Sequence, residues 1–257
     1  MVGLSVFPFI YMFIISIMDT TSMKLSWDRL INATYTFENY KQLFFGDGRF
    51  LMYIVNSSVV TIYACVVTCV VSSMAAYVFA KKRFVGDSKI YSLYLMSMII
   101  PSQVILIPQF LVVKELGLLN TYTGITLPQY YAYGVIMLRA FMKNIPTDLF
   151  EAAEIDGCNE VKKFLNIVIP LMKPALISLT VYTFFNVWGN LLWPLVAASG
   201  DKMTITQAIA SMQSGIAVTH YGSMMAASTI AFLPPFILYL ILQKQFGDGI
   251  AGSGIIG

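Results

Sequence analysis

The sequence predicts an all-α integral membrane protein: six transmembrane helices with a cytoplasmic helical hairpin between helices 4 and 5. Three observations carry that expectation. Of 257 residues, 58% are hydrophobic and 11% charged, with a mean hydropathy of +0.74, whereas a soluble domain carries about 25% charge. The apolar residues fall into long runs at 2–18, 50–80, 90–113, 122–142, 174–198 and 221–242, each close to or above the roughly 20 residues a helix needs to cross a bilayer. Charge is concentrated in one stretch, 144–173, where Glu151, Glu154, Asp156 and Glu160 lie near Lys162, Lys163 and Lys173. The chain 1–257 is read as one transmembrane domain.

The first run, Val2 to Met18, contains Pro8. No basic segment precedes it and no small-residue cleavage site follows, so a membrane span is expected rather than a signal peptide. Asp19 to Arg49 is a polar and aromatic loop in which Phe37 and Tyr40 suit interfacial anchors. The run 50–80 is too long for one untilted span, so its beginning is expected at the interface; Asn56, Ser57, Ser58 and Thr61 cluster there. Lys81-Lys82-Arg83 and Lys89 then form the densest basic cluster, which the positive-inside rule places in the cytoplasm.

The third run, 90–113, is interrupted by Pro101 and Pro108, with Gln103 and Gln109 beside them. A short outer turn, 114–121, leads to the fourth run, which ends at Arg139 and Lys143 on the cytoplasmic side. The hairpin follows, then the fifth run, an outer segment 199–220, and the sixth run with Pro234-Pro235 in its middle. Lys244 marks the last exit. With both termini inside, ten of the sixteen Lys and Arg residues face the cytoplasm. The glycine-rich end, 246–257, has no packing pattern.

The charged stretch reads locally as helix, break, helix. Asp148 suits the cap of the first helix, with Glu151 three residues on to complete a capping box. Gly157 suits a left-handed stop, and Asn159 suits the cap of a second helix running to Ile169. Pro170 and Pro174 suit the first turn of the next membrane segment. A charged hairpin on a membrane protein is a handle for a soluble partner.

At these residues the sequence resembles a family. Glu151-Ala152-Ala153, Asp156-Gly157, Phe164, Ile167, Pro170 and Pro174 reproduce the EAA loop of the membrane (permease) subunits of binding-protein-dependent ABC importers, and are most similar to the carbohydrate-uptake branch of maltose-type subunits. Cys158 stands where the family has Ala and Ile169 where it has Leu, changes of small volume. Asn39-Tyr40 resembles the Asn-Tyr after the first span in that branch. Phe185-Asn186-Val187-Trp188-Gly189-Asn190 resembles the family's Trp-Asn segment, departing from it at Gly189-Asn190. The glycine-rich end resembles a tail that many carbohydrate permeases extend toward their ATPases, although the usual basic residues are absent.

The resemblance implies a bacterial inner-membrane complex that moves a sugar or oligosaccharide by alternating access. It implies a second homologous permease subunit, two ATP-binding subunits and an extracytoplasmic solute-binding protein. Glu151, Ala152, Ala153, Asp156, Gly157, Phe164 and Pro170 are the residues it assigns to the contact with the ATPases. Hydrogen-bonding and aromatic residues in the spans suit a sugar pathway: Gln103, Gln129, Tyr130, Tyr133, Asn186, Trp188 and Asn190. The same residue types also serve as interfacial belts and interhelical bonds in any membrane protein.

The absences bound the chemistry. No Gly-x-x-x-x-Gly-Lys-Ser/Thr is present, so ATP and magnesium are expected in partner ATPase subunits and no cofactor in this chain. His220 is the single histidine, expected to be solvated, and no catalytic set or metal-ligand spacing surrounds it. The small basic excess sits beside apolar runs and carries no nucleic-acid signature. The run centres lack the carboxylates an ion-coupled pump uses. A secondary transporter and a membrane enzyme or scaffold are the competing classes, and a glycerol-phosphate-like solute is the competing cargo.

Overall fold

Proline placement and the polar breaks decide where the helices start and stop in the computed structural model, which describes residues 2–20, 27–46, 48–129, 132–213 and 220–251. Helix α1, Val2–Ser16, carries Pro8 without interruption, and is followed by short helices α2, Trp27–Asn32, and α3, Glu38–Phe45. Helix α4, Arg49–Lys81, is continuous over 33 residues, about 50 Å at 1.5 Å per residue. It therefore exceeds the roughly 30 Å hydrocarbon layer, in keeping with an interfacial beginning.

The third run is not one straight helix. Helices α5, Asp87–Ser97, and α6, Ser102–Glu115, meet at 106°. Pro101 stands at the break in an extended conformation, φ −61° and ψ 135°, and its ring disfavours helix at Ile100 before it. Pro108 sits inside α6 without breaking it. The fourth run is also divided, into α7, Tyr122–Thr126, a tight turn Leu127–Gln129 around Pro128, and α8, Ala132–Lys143.

The charged stretch forms α9, Asp148–Ile155, and α10, Glu160–Lys163, which passes through a wide turn, Phe164–Val168, into α11, Ile169–Leu171. The fifth run is α12, Lys173–Trp188, then a break at Gly189–Leu191, then α13, Leu192–Ala197. Helix α14, Ile205–Gln213, precedes α15, Tyr221–Ala251, which continues unbroken through Pro234-Pro235 and past Leu242 into the glycine-rich end. Among the described residues two helices, α4 and residues 221–242 of α15, are long and apolar enough to cross a membrane, or up to four if each bent pair is one span.

The chain divides into two units by contact, residues 1–59, 119–122 and 188–241 in one and 60–118, 123–187 and 242–257 in the other. The first unit is organised by buried amides. Asn39, 7% exposed, donates its Nδ2 to the Ser16 and Met18 carbonyls, each at 2.9 Å, and accepts from Ser223 Oγ at 3.2 Å. Tyr40 shares a 2.6 Å bond with Ser16 Oγ. The Asn-Tyr pair is thus a latch on the end of α1 and the start of α15, where a solvated loop was an equally good expectation.

Asn56, also buried, donates to the Asp201 and Met203 carbonyls at 2.8 and 2.9 Å and accepts from Tyr122 Oη at 2.7 Å. Ser57 Oγ accepts the Ile205 N–H at 2.8 Å. The bond at Ile205 satisfies a buried backbone group, which left without a partner would cost about 1–3 kcal/mol.

The second unit has an apolar core of Ala76, Tyr77, Leu138, Met142, Ile145, Phe150, Val168, Met172, Ala175 and Leu179. Small residues let the helices meet closely: a Cβ on Gly134 would come within 3.2 Å of Leu179 Cδ2. Cys65 donates to the Thr180 carbonyl at 3.6 Å, and Cys69 Sγ lies 3.2 Å from Thr180 Oγ1. This core carries the hairpin.

Candidate functional site

Local chemistry sets the two arms of the hairpin. The first arm starts one residue before the expected cap: the Thr147 carbonyl accepts from Phe150 and Glu151 N–H at 2.8 and 3.1 Å. Asp148 is therefore the first helical residue and no capping box forms with Glu151. Their carboxylates still favour the positive end of the helix dipole. Gly157 closes the arm with φ +74°, and the Cys158 N–H reaches back to the Ala153 carbonyl at 2.8 Å. Side chains rarely adopt that left-handed conformation, so glycine suits the turn.

Asn159 caps the second arm, its Oδ1 accepting from Lys162 N–H at 2.9 Å. The arm extends past Ile169 to Leu171 through the wide turn, in which Ile169 N–H bonds the Phe164 carbonyl. Pro170 lies in this arm, before a 75° bend at Met172, and not in the following helix, where Pro174 is the second residue. Having no N–H, Pro170 cannot continue the regular ladder.

The inner face of the hairpin is fastened at several points. Phe150 and Ala153 are buried. Tyr77, near the end of α4, places its ring 6.0 Å from Phe150 in the first arm and 5.8 Å from Phe164 in the second. Its hydroxyl donates to Glu160 Oε2 at 2.8 Å. Lys81 Nζ donates to the Ile145 carbonyl at 2.6 Å and sits 5.1 Å from the Phe150 ring. Lys82 Nζ reaches Glu160 Oε1 at 2.8 Å.

Lys163, only 2% exposed, holds Glu154 from one arm and Glu160, at 3.1 Å, from its own. Bonds from Lys82, then Tyr77, hold the Glu160 carboxyl down to about 2. The bond with Lys163 lowers Glu154, and the bond with Glu154 raises Lys163. A buried ammonium is tolerated only when so paired.

The outer face is free of such fastening. Leu149, Glu151, Ala152, Ile155, Asp156 and Gly157 are exposed, as are Val161, Leu165 and Pro170. Ile155 is 88% exposed. Among the described residues Glu151 has no ion pair. Of the residues assigned to partner contact, Ala153 and Phe164 thus face inward as anchors, and the other five face outward. Tyr77, Lys81, Lys82, Glu154, Glu160 and Lys163 were absent from that set. The three-residue spacing of Glu160 and Lys163 was the one sequence signal for their pairing.

The pathway candidates lie on several different elements. Gln103 is exposed on α6. Gln129 ends the tight turn, its side chain outside the described residues, as is the whole of Tyr130. Tyr133 meets Tyr182, ring centroids 4.1 Å apart. Asn186 is exposed and donates to the Tyr182 carbonyl of its own helix at 2.8 Å. Trp188 is buried, with its indole N–H on the Ala231 carbonyl at 3.0 Å. Asn190 accepts the Trp193 N–H at 3.4 Å. His220 is exposed, as expected. No group of three or more potential metal ligands occurs among the described residues.

Residues 68–252 match the family model described as binding-protein-dependent transport system inner membrane component. The arabinooligosaccharides transport system permease protein AraQ of Bacillus subtilis is 34% identical over 86% of this chain and 79% of its own length. The lactose transport system permease protein LacG of Rhizobium radiobacter is 32% identical over 97% and 91%. The sn-glycerol-3-phosphate transport system permease protein UgpE of Pectobacterium atrosepticum is 30% identical over 96% and 91%. Among solved structures, a chain of a bacterial ABC transporter involved in the import of the acidic polysaccharide alginate aligns with a TM-score of 0.83 at 23% identity, covering 93% of this chain and 90% of that one.

Proposed function

The chain belongs to the inner membrane components of binding-protein-dependent transport systems, the non-catalytic permease subunits of ABC importers, and from that membership we propose that it carries a sugar or oligosaccharide into the cytoplasm. The hairpin is the cytoplasmic contact for the ATPases. Its exposed Glu151, Ala152 and Ile155, backed by a fastened inner face, are the observation that carries this reading. Glu151 suits a basic group on the partner, Ala152 allows close helix approach, and Gly157 sets the bend.

The remaining parts follow from that assignment. Six spans place both termini in the cytoplasm, the bent pairs α5/α6 and α11/α12 serving within them. Two ATP-binding subunits hold ATP and magnesium, a second homologous permease completes the pathway, and an extracytoplasmic solute-binding protein delivers the cargo. Closure of the ATPase pair moves the hairpins, and the spans switch access between the two faces. Gln103, Gln129, Tyr130, Tyr133 and Asn186 are the pathway candidates. Trp188 and Asn190 serve there by shaping the wall, since their polar groups hold backbone partners.

A sugar is favoured by AraQ and LacG, each transporting the solute in its name. UgpE, nearly as similar, supports a second reading in which the cargo is a glycerol phosphate. Purification from the native membrane in mild detergent tests both levels. Recovery with a homologous permease and a P-loop ATPase is the expected result, and the associated binding protein is then titrated with arabinotriose, lactose and sn-glycerol-3-phosphate. Isolation of the chain alone, stable and without an ATPase, would overturn the importer reading; exclusive binding of glycerol phosphate would replace the sugar.

A further inference from the structure

The hairpin has weak covalent exits. It is entered through the short non-helical segment 144–147 and left through the 75° bend at Met172. A push on its outer face could be absorbed at either point. What resists that is Tyr77 near the end of α4 and Lys82 just past it, more than 60 residues away in sequence, together with Lys163 inside the hairpin. Tyr77 wedges its ring between Phe150 and Phe164, one from each arm, and its hydroxyl reaches Glu160 at 2.8 Å. Lys82 takes the other Glu160 oxygen at 2.8 Å. Lys163, 2% exposed, joins Glu160 to Glu154 across the Gly157 turn. Opening the arms would strip Glu154 from Lys163 and leave that buried ammonium with Glu160 alone, which is unfavourable.

We propose that Tyr77, Lys82, Glu160 and Lys163 are positioning residues forming a clamp that makes the hairpin and the end of α4 move as one piece. The proposal rests on the reading of the hairpin as the ATPase contact and adds the route by which its motion enters the spans. Tyr77 aligns the two arms on α4. Glu160 is the shared node: among the described residues it bonds both Tyr77 of α4 and Lys163. Lys82 resists sliding along α4, and Lys163 keeps the arms from spreading.

The test uses the assembled importer in nanodiscs. A single environment-sensitive fluorophore is placed at Ile62→Cys, exposed on α4, with Cys65, Cys69 and Cys158 replaced by Ala. MgATP with vanadate is the probe, and ATP turnover is measured on the same samples. In the parent the nucleotide shifts the emission. In Glu160→Gln and Lys82→Gln, turnover stays at the parent level while the shift falls about fivefold or more. Lys163→Met behaves alike, and Lys163→Arg restores the shift, which a role in general stability would not require. A full emission shift in Glu160→Gln, Lys82→Gln and Lys163→Met overturns the clamp.

Glu151→Lys separates the two levels. If it abolishes turnover while the clamp variants shift fully, the hairpin reading stands and the clamp fails. If Glu151→Lys keeps both turnover and shift, the hairpin reading itself fails. Should Lys163→Met not reach the membrane, Lys82→Gln and Tyr77→Phe decide, because neither removes a buried charge.

Discussion

Replacing Asn39 by Leu keeps the branched shape, with bulkier methyl ends, and removes the latch. Two buried carbonyls, Ser16 and Met18, then lose their donor, and Ser223 loses its acceptor. At about 1–3 kcal/mol for each buried group left unsatisfied, and with the Ser223 hydroxyl free to re-orient, the loss is about 3 kcal/mol. For a chain of this size that lowers the unfolding midpoint by about 6–12 °C. Asn39→Asp removes the same donors and sets a carboxylate against two carbonyl oxygens, so near neutral pH it should melt lower still.

The two variants separate on acidification. A carboxyl held against acceptors has a folded pKa raised above its unfolded value, so its protonated form, able to donate one bond, is favoured as pH falls. The gap between Asp and Leu variants should therefore close, then invert, as pH falls below neutrality. The assay is a thermal melt of the detergent-purified protein followed by intrinsic fluorescence. If the Leu variant melts with the wild type, or the Asp variant shows no relative gain on acidification, the bonds at Asn39 do not hold these segments together.

Three further outcomes are expected. Gly157→Pro cannot adopt the φ of +74° at the turn; it should insert normally yet lose binding-protein-stimulated ATP turnover, and undiminished turnover would show that the turn is dispensable. Cys158 is half-exposed whereas Cys65 is buried, so an impermeant maleimide should modify Cys158 in inside-out vesicles only and leave Cys65 unmodified on either side; labelling of Cys158 from outside would contradict a cytoplasmic hairpin. The Glu160 carboxyl, held from 4.5 to about 2, contributes stability that is present above pH 4.5 and lost as pH falls toward 2. Hydrogen exchange of the hairpin amides, corrected for intrinsic rate, should be flat from neutrality to about pH 5 and accelerate below it; acceleration already near pH 6 would exclude this carboxylate as the cause.

Much of the hairpin was legible because its determinants are local. The left-handed glycine and the Asn159 cap depend on the backbone within a few residues, so Gly157 and Asn159 could be read directly. The Asp148 cap could not: whether the cap falls at 147 or 148 turns on which carbonyl takes the first bond, a difference of one residue. The resemblance in Glu151-Ala152-Ala153 and its neighbours led to the right family, but marked Ala153 and Phe164 together with Glu151 although they face opposite ways.

By itself, the sequence determined the membrane class, the apolar runs and the helix–break–helix at 144–173, since composition, run length and capping act over short distances. Only the tertiary structure decided which prolines break. Pro101 bends its run by 106°, while Pro108 and Pro234-Pro235 stay within helices. A proline removes one donor, and the neighbours that can satisfy the freed carbonyl decide whether the helix survives. Tertiary structure also decided that Lys163 is buried and Glu151 is not, and that Lys82 meets Glu160. The free energy of a charge depends on the groups around it, and packing here brings those groups from residues far apart in the chain.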